Sequence, residues 1–195
     1  MDLVKALKMD QELARNIDKA LDWLRREFAR AGIPFAVVGG LALRRYGYRR
    51  FTEDIDILTT KEGLDRIHRE VIGRGLVPRF SGARKGLRQT EHNVKVDVIT
   101  EGEHAGSADS PVLYPSPESD AFVERDGILI PKLESLVEFK IASGVWGSRG
   151  RDFGDVEELI KANRLTRRFA AKLIAPLRPK FLELLRNARR EKTLE

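Results

Sequence analysis

Two aspartates, Asp54 and Asp56, stand two residues apart in the apolar run "DIDIL", where an uncompensated charge is costly to bury. If this run forms a β-strand, both carboxylates point to one face, while Ile55 and Ile57 point into the core. The two aspartate Cα atoms then lie about 6.5 Å apart, at roughly 3.3 Å per residue. From that spacing the carboxylates can converge on one or two divalent cations.

A third acid, Asp97, stands in the similar run "VKVDVIT". If its strand neighbours that of Asp54 and Asp56, the three carboxylates share one end of a sheet. Hard cations such as Mg²⁺ take oxygen ligands and leave positions to water and substrate phosphates. Two such ions about 3.5 to 4 Å apart would offset the repulsion between the acids and clamp both oxygens of a phosphoryl-type displacement. Alone, a D-x-D pair more often marks an exposed strand edge than a functional site. The choice between the two depends on the elements around the pair.

The elements before the acids follow from the spacing of the apolar residues. Helical spacing over residues 11–30 predicts an amphipathic helix that ends near Gly32. "FAVV" predicts a short buried strand, and Gly39 and Gly40 break it before a short helix. The strand with the two acids follows, and then helical spacing over residues 61–75.

The middle of the chain changes character. "GLVPRF", "GLRQT" and "NVKVDVIT" predict antiparallel neighbours on the same sheet. Residues 101–120 form a long connection without periodicity, either an ordered flap or a mobile loop. A hairpin around Asp126 and Gly127 follows, and Pro131 is predicted in the first turn of a helix. Three helical segments complete the chain, at about Arg151 to Ala162, Thr166 to Ile174 and Pro176 to Arg190.

Composition limits the class of protein. The 195 residues, 42% hydrophobic and 34% charged, suit a globular protein with a real core. Because cysteine is absent, a disulfide framework, a thiolate metal site and a cysteine nucleophile are excluded. We expect a cytoplasmic protein that crosses no membrane, since no window approaches eighteen uninterrupted apolar residues and the N-terminus lacks an apolar leader.

The positive charge is concentrated near the C-terminus. The chain carries a net charge of +6, and residues 161–192 contain eleven lysines and arginines against two glutamates. Such a basic segment is compatible with a polyanionic partner such as nucleic acid, and equally with a solvated helical surface.

The ordered segments "VVGGLAL", "FTEDIDIL" and "VKVDVI" resemble the nucleotidyltransferase superfamily with the DNA polymerase beta-type fold. Within them, "RRFTEDIDIL" is similar to AbiEii-type and minimal nucleotidyltransferase toxins of toxin–antitoxin systems. The resemblance implies an α+β fold, with a mixed sheet of the nucleotidyltransferase type flanked by helices and a C-terminal helical unit. We place the core and its N-terminal helix at residues 1–130, and a basic helical unit packed on the core at residues 131–195.

The resemblance also implies roles for individual residues. Asp54 and Asp56 would hold both ions of a two-Mg²⁺ site, and Asp97 would bind the catalytic ion and favour deprotonation of the acceptor hydroxyl. Gly39 and Gly40 would let the backbone approach the triphosphate of an NTP. Many members have Ser where this chain has Gly40, so that hydroxyl contact to phosphate is missing here. The resemblance implies that Arg50 and Thr52 would also bind the nucleotide.

A downstream stretch, "LVEFKIASGVWGSRGRDFGDVEEL", resembles the family's helix Lys followed by an Arg/Lys-Asp pair and another Asp. Lys140 would stabilise charge on the leaving pyrophosphate. Arg151, Asp152 and Asp155 would orient Lys140 or contact the nucleotide. The residues alone also allow Lys140 to be a surface lysine and Asp152 to be a helix N-cap.

Together these residues predict a metal-dependent nucleotidyltransferase that moves an NMP from an NTP to an acceptor hydroxyl. The basic C-terminal helices favour a tRNA or other RNA 3′ end as acceptor, and the resemblance to toxins implies a cognate antitoxin as a partner protein. A protein or small-molecule acceptor stays open, as does an inactive nucleic-acid- or partner-binding module of the same fold. The three histidines lack ligand spacing and predict no metal site.

Overall fold

The computed structural model describes residues 3–191. Contacts between residues group the chain into two compact units that alternate along the sequence. The first contains the described residues up to 41, residues 51–101 and residues 116–118. The second contains residues 42–50, residues 102–115 and the described residues from 119 onward. This grouping of contacts does not test the predicted domain boundary at residue 130, which stays a prediction.

The first unit contains a five-stranded mixed sheet. The strands are β1 (Phe35–Val37), β2 (Asp54–Thr59), β3 (Leu76–Pro78), β4 (Gly86–Gln89) and β5 (Val94–Thr100). Their order across the sheet is β1-β2-β5-β4-β3. The central strands β2 and β5 run parallel, and the other neighbouring pairs run antiparallel. The prediction that the three middle segments are antiparallel neighbours is confirmed.

Helix α1 (Leu3–Arg30) packs against β2 and β5 and is longer than predicted. Its buried face repeats at helical spacing and includes Leu21, Leu24 and Phe28. The Phe28 ring meets the ring of Phe35 edge to face, with centroids 5.2 Å apart. This apolar contact joins the helix to the edge of the sheet.

Two short helices flank β2 in the sequence, α2 (Gly39–Arg44) and α3 (Lys61–Arg66). Thr60 caps α3, because its hydroxyl accepts the amide proton of Gly63 at 2.9 Å. The predicted helix over residues 61–75 ends earlier, at Val71, and its last part is a π-helical turn at Ile67–Val71. There the amide of Ile72 bonds to the carbonyl of Ile67, five residues back.

The second unit contains a hairpin of β6 (Phe122–Arg125) and β7 (Ile128–Pro131). Asp126 and Gly127 both have positive φ, which suits a two-residue turn of this kind. The predicted hairpin is confirmed. The predicted place of Pro131 is wrong, since it is the last residue of β7 and pairs with Phe122. The amide of Lys132 then bonds to the carbonyl of Ala121, so the helix starts later.

Helices form most of the rest of the second unit. They are α4 (Leu133–Trp146), α5 (Arg151–Ala162) and α6 (Arg178–Glu191). The segment predicted as helical at about Thr166 to Ile174 is a 3-10 helix over Arg167–Lys172, because Leu173 turns extended. A second 3-10 turn spans Ala175–Leu177. The long connection is ordered, since the amide of Ala105 donates to the carbonyl of Val112 at 2.9 Å.

The predicted α+β class, with a mixed sheet flanked by helices and helices at the C-terminal end, is confirmed. Between residues 3 and 191, no helix has the length and apolar character needed to cross a membrane.

Candidate active site

The parallel pairing of β2 with β5 brings the three predicted acids together. Asp56 is the register partner of Asp97, and Asp54 lies two residues before Asp56 on the same face of β2. Ile55 and Ile57 are fully buried, whereas the three aspartates are half-buried. The predicted alternation of buried apolar residues with half-buried acids is therefore present on both strands.

One carboxylate oxygen from each of Asp54, Asp56 and Asp97 lies within 4.8 Å of the other two. We call these three residues the acid triad. At this distance two full charges repel by about 3 kcal/mol for an effective dielectric constant of about 20, and by less where water reaches them. Three hard oxygen donors in one place suit a hard divalent cation such as Mg²⁺. Among the described residues, no other group of three His, Cys, Asp or Glu side chains could hold a metal.

Thr52 orients the first acid of the triad. Its side chain is buried, and its hydroxyl donates to Oδ1 of Asp54 at 2.8 Å. The hydroxyl proton is thus committed to the carboxylate. The structure places this residue, predicted to bind nucleotide, beside the acid triad as a partner of Asp54.

Gly39 lies directly against the second acid. It opens α2 with φ +60°, and a Cβ added there would lie 1.9 Å from Oδ2 of Asp56. The amide of Val38 also donates to the carbonyl of Asp56 at 2.9 Å. A glycine is needed at position 39 because the Asp56 carboxylate occupies the space of a side chain. Gly40, the position where many relatives carry Ser, is buried.

Arg79 contacts the third acid, and the sequence analysis missed it. Its Nη2 atom donates to Oδ1 of Asp97 at 2.5 Å. Arg79 follows β3, two strands away from β5 in the sheet. Only the strand order could have revealed this contact, because eighteen residues separate Arg79 from Asp97.

The second predicted group forms a separate cluster inside the second unit. The Nζ atom of Lys140 lies 2.7 Å from Oδ1 of Asp152 and 2.8 Å from Oδ2 of Asp155. The Nε atom of Arg50 lies 3.0 Å from Oδ1 of Asp155. Asp152 and Asp155 are three residues apart on α5 and therefore share one face of that helix. We call these four residues the buried ion cluster.

The structure rejects both structural alternatives for this cluster. Lys140 is not a surface lysine, since only 8% of it is exposed. Asp152 is not the N-cap of α5, because the cap is Gly150 and the Asp152 side chain accepts a hydrogen bond from Lys140. Two cations face two carboxylates, so the cluster is neutral overall, as buried charges require.

A pocket of about 390 Å³ adjoins the buried ion cluster within the second unit. Its lining includes Arg50 and Asp155 of the cluster and the exposed side chain of Arg151. Tyr48 adds an aromatic ring. Glu157 and Glu158 also line it, so the pocket presents a ring and side chains of both charges.

The predicted site residues thus fall into two groups, each within one unit. The first unit contains Gly39, Gly40, Thr52, Asp54, Asp56 and Asp97. The second contains Arg50, Lys140, Arg151, Asp152 and Asp155.

Comparison with known proteins places the sequence among nucleotidyltransferases. A family model described as "Nucleotidyl transferase AbiEii toxin, Type IV TA system" matches residues 22–194. No curated protein sequence matches the chain.

Three solved structures resemble this one. The antibiotic-resistance factor ANT(2'')-Ia is 16% identical, with 95% of each chain covered and a TM-score of 0.50. JHP933 from Helicobacter pylori is 20% identical over 95% of this chain and 90% of its own, with a TM-score of 0.46. A candidate nucleotidyltransferase from H. pylori is also 20% identical, covering 100% and 99%, with a TM-score of 0.45. The likeness to ANT(2'')-Ia shows a shared fold.

Gly39→Ala tests the close approach of Asp56. The new methyl group must displace the carboxylate, so any rise in melting temperature that Mg²⁺ gives the wild type should be lost. Gly73→Ala is the matched control, because Gly73 also has positive φ but nothing lies within 4 Å of an added Cβ. Both variants should lose about 1 to 2 kcal/mol from backbone strain. An equal effect of Mg²⁺ on the melting temperatures of the two variants would contradict a metal site at Asp56.

Lys140→Met tests the buried ion cluster. It leaves two buried carboxylates with one cation, so we expect the free energy of unfolding to fall by about 3 to 5 kcal/mol in urea titration. Adding Asp152→Asn should restore part of that loss. Lys172→Met, which removes an exposed cation 3.9 Å from Glu134, should cost less than about 1 kcal/mol. Equal losses in the two lysine variants would show that the cluster carries no buried-charge penalty.

Proposed function

The chain belongs to the AbiEii family of nucleotidyltransferase toxins, and from that premise we propose that it transfers an NMP from an NTP to an acceptor hydroxyl. In this reaction a bond forms between the acceptor oxygen and the α-phosphorus, and the bond from that phosphorus to pyrophosphate breaks. The observation that carries the proposal is the acid triad, three carboxylates gathered on two central strands.

The acid triad fits the cations that this chemistry uses. Asp54 and Asp56 would hold both Mg²⁺ ions, and Asp97 would hold the catalytic one. Bound Mg²⁺ supplies positive charge to the oxygens of the phosphoryl group and of the leaving group. The acid triad suits Mg²⁺ because its hard oxygen donors lie close together. Thr52 fixes the orientation of Asp54.

The protein groups around the triad have their own parts in the proposal. Asp97 would favour loss of the proton from the attacking hydroxyl. Gly39 and Gly40 would let backbone amides approach the triphosphate. Because Gly40 has no hydroxyl, the phosphate would depend on backbone donors at that position.

The buried ion cluster supports the part proposed for Lys140. Its ammonium would stabilise negative charge on the leaving pyrophosphate. Asp152 and Asp155, at 2.7 and 2.8 Å, would hold that ammonium in one orientation. Arg50 and Arg151, which line the adjoining pocket, would contact the nucleotide.

For the acceptor we propose the 3′ end of a tRNA or another RNA. The support is the basic C-terminal segment, whose helix α6 exposes Arg186, Arg189 and Arg190. The family's description as toxins of type IV toxin–antitoxin systems supports a cognate antitoxin as partner. A protein hydroxyl and a small molecule are the other acceptors, and the alternative activity is binding without transfer.

The reaction is tested with the double variant Asp54→Asn and Asp56→Asn. In an assay with labelled NTPs, Mg²⁺ and total RNA, we expect transfer to fall about a hundredfold or more, since metal charge contributes several kcal/mol. Glu53→Ala is the control, because Glu53 adjoins the triad in sequence but is exposed and pairs with Lys95 at 3.7 Å. It should leave transfer unchanged.

Two results would contradict this function. A wild-type protein that labels no RNA, protein or small molecule, and binds no NTP with Mg²⁺, would exclude the enzyme. If the wild type arrests growth when it is expressed in cells and the double variant arrests growth equally, the binding module is favoured.

The RNA acceptor is tested by salt dependence. If three phosphates are contacted, raising salt from 50 to 200 mM should weaken RNA binding by about 20-fold. Removing charge with Arg186→Gln and Arg190→Gln should reduce that slope. The control pair Arg26→Gln and Arg30→Gln has the same four-residue spacing on α1 and should not change it. Binding without salt dependence would count against RNA.

A further inference from the structure

Arg79 is a cation in direct contact with the acid triad. Its Nη2 donates to Oδ1 of Asp97, and the two side chains are 29% and 34% exposed. The backbone sets this contact, because the amide of Arg79 donates to the carbonyl of Gly86 at 2.9 Å. Gly86 is in turn the register partner of Asp97 on β5. Arg79, Gly86 and Asp97 therefore lie side by side across the sheet.

Gly86 provides the space that this contact needs. A Cβ added to Gly86 would lie 2.6 Å from Nη2 and 2.8 Å from Nε of Arg79. Since β4 has no side chain at this position, the guanidinium can cross it and reach Asp97. The contact thus depends on a particular residue of the intervening strand.

The ion pair of Arg84 with Asp65 offers a contrast. Its atoms are also 2.5 Å apart, but its side chains are 60% and 56% exposed, and neither belongs to the acid triad. Such exposed pairs contribute little. Arg79 differs because the carboxylate it holds is one that a divalent cation would use.

Charge shows what this contact does. Arg79 brings one positive charge to Asp97, a carboxylate that a divalent cation would also use. Both cations need oxygens of Asp97, and they repel each other. We propose that Arg79 is an internal counter-cation of the acid triad, which neutralises Asp97 and competes with the divalent cation for that carboxylate. This inference rests on the metal site of the proposed function.

Arg79 would have the opposite effect on metal binding if it merely held Asp97 in the geometry that the metal needs. Removing Arg79 would then weaken metal binding. The repulsion is the larger effect, because a unit charge beside a divalent ion changes binding by about tenfold even after screening by water. The sign of the change therefore separates competition from simple positioning.

The test measures binding of Mn²⁺ alone, by the electron paramagnetic resonance signal of the free ion. Arg79→Gln should bind Mn²⁺ about tenfold more tightly than the wild type. Gly86→Ala should shift affinity in the same direction, because its methyl group moves the guanidinium away from Asp97 without removing Arg79. Arg79→Lys keeps a charge there and should stay near the wild type. Arg84→Gln, the control, should not change affinity.

Melting temperatures give a second measurement on the same variants. Arg79→Gln should melt at a lower temperature than the wild type in EDTA, because the triad loses its counter-cation, and should gain more from Mg²⁺. Unchanged or weaker Mn²⁺ binding by this variant would overturn the inference. A wild type that binds no Mn²⁺ would overturn the inference together with the metal site. Tighter binding by Arg79→Gln with no NMP transfer by the wild type would support the inference and overturn only the proposed function.

Discussion

The repulsion between three carboxylates within 4.8 Å of one another is the constraint on which the rest of the first unit depends. The apolar core enforces it, because Ile55 and Ile57 are fully buried and fix which face of β2 the acids take. A slip of one residue would bury Asp54 and Asp56 and expose the isoleucines, at a cost far above that of the repulsion. Hydrophobic burial thus holds together charges that would otherwise separate.

Three neighbouring residues accommodate the carboxylates of the acid triad, each by a different contact. Thr52 gives a hydrogen bond to Asp54, Gly39 gives space to Asp56, and Arg79 gives a charge to Asp97. Of these three neighbours, only Arg79 brings a charge. The buried ion cluster differs, since its two cations and two carboxylates balance within the protein. The acid triad, rather than the cluster, is the place we propose for an external cation.

Local spacing predicted the elements whose character depends on neighbours in sequence. The alternation of "DIDIL", the helical repeat of α1 and the Asp126–Gly127 turn are such cases, because side-chain direction and turn geometry are local properties. The predictions were wrong where a distant contact decided the end of an element. Pro131 suits the first turn of a helix, yet pairing with Phe122 keeps it in a strand.

The sequence by itself determined which acids are present, that they share strand faces, and the family to which the chain belongs. Only the tertiary structure decided that β5 lies beside β2 in the register that pairs Asp56 with Asp97. It also decided that Arg79 reaches Asp97 across Gly86, and that Lys140 is buried. The physical reason is that strand order and register arise from packing of the whole core, whereas residue spacing reports only the direction of each side chain within its own element.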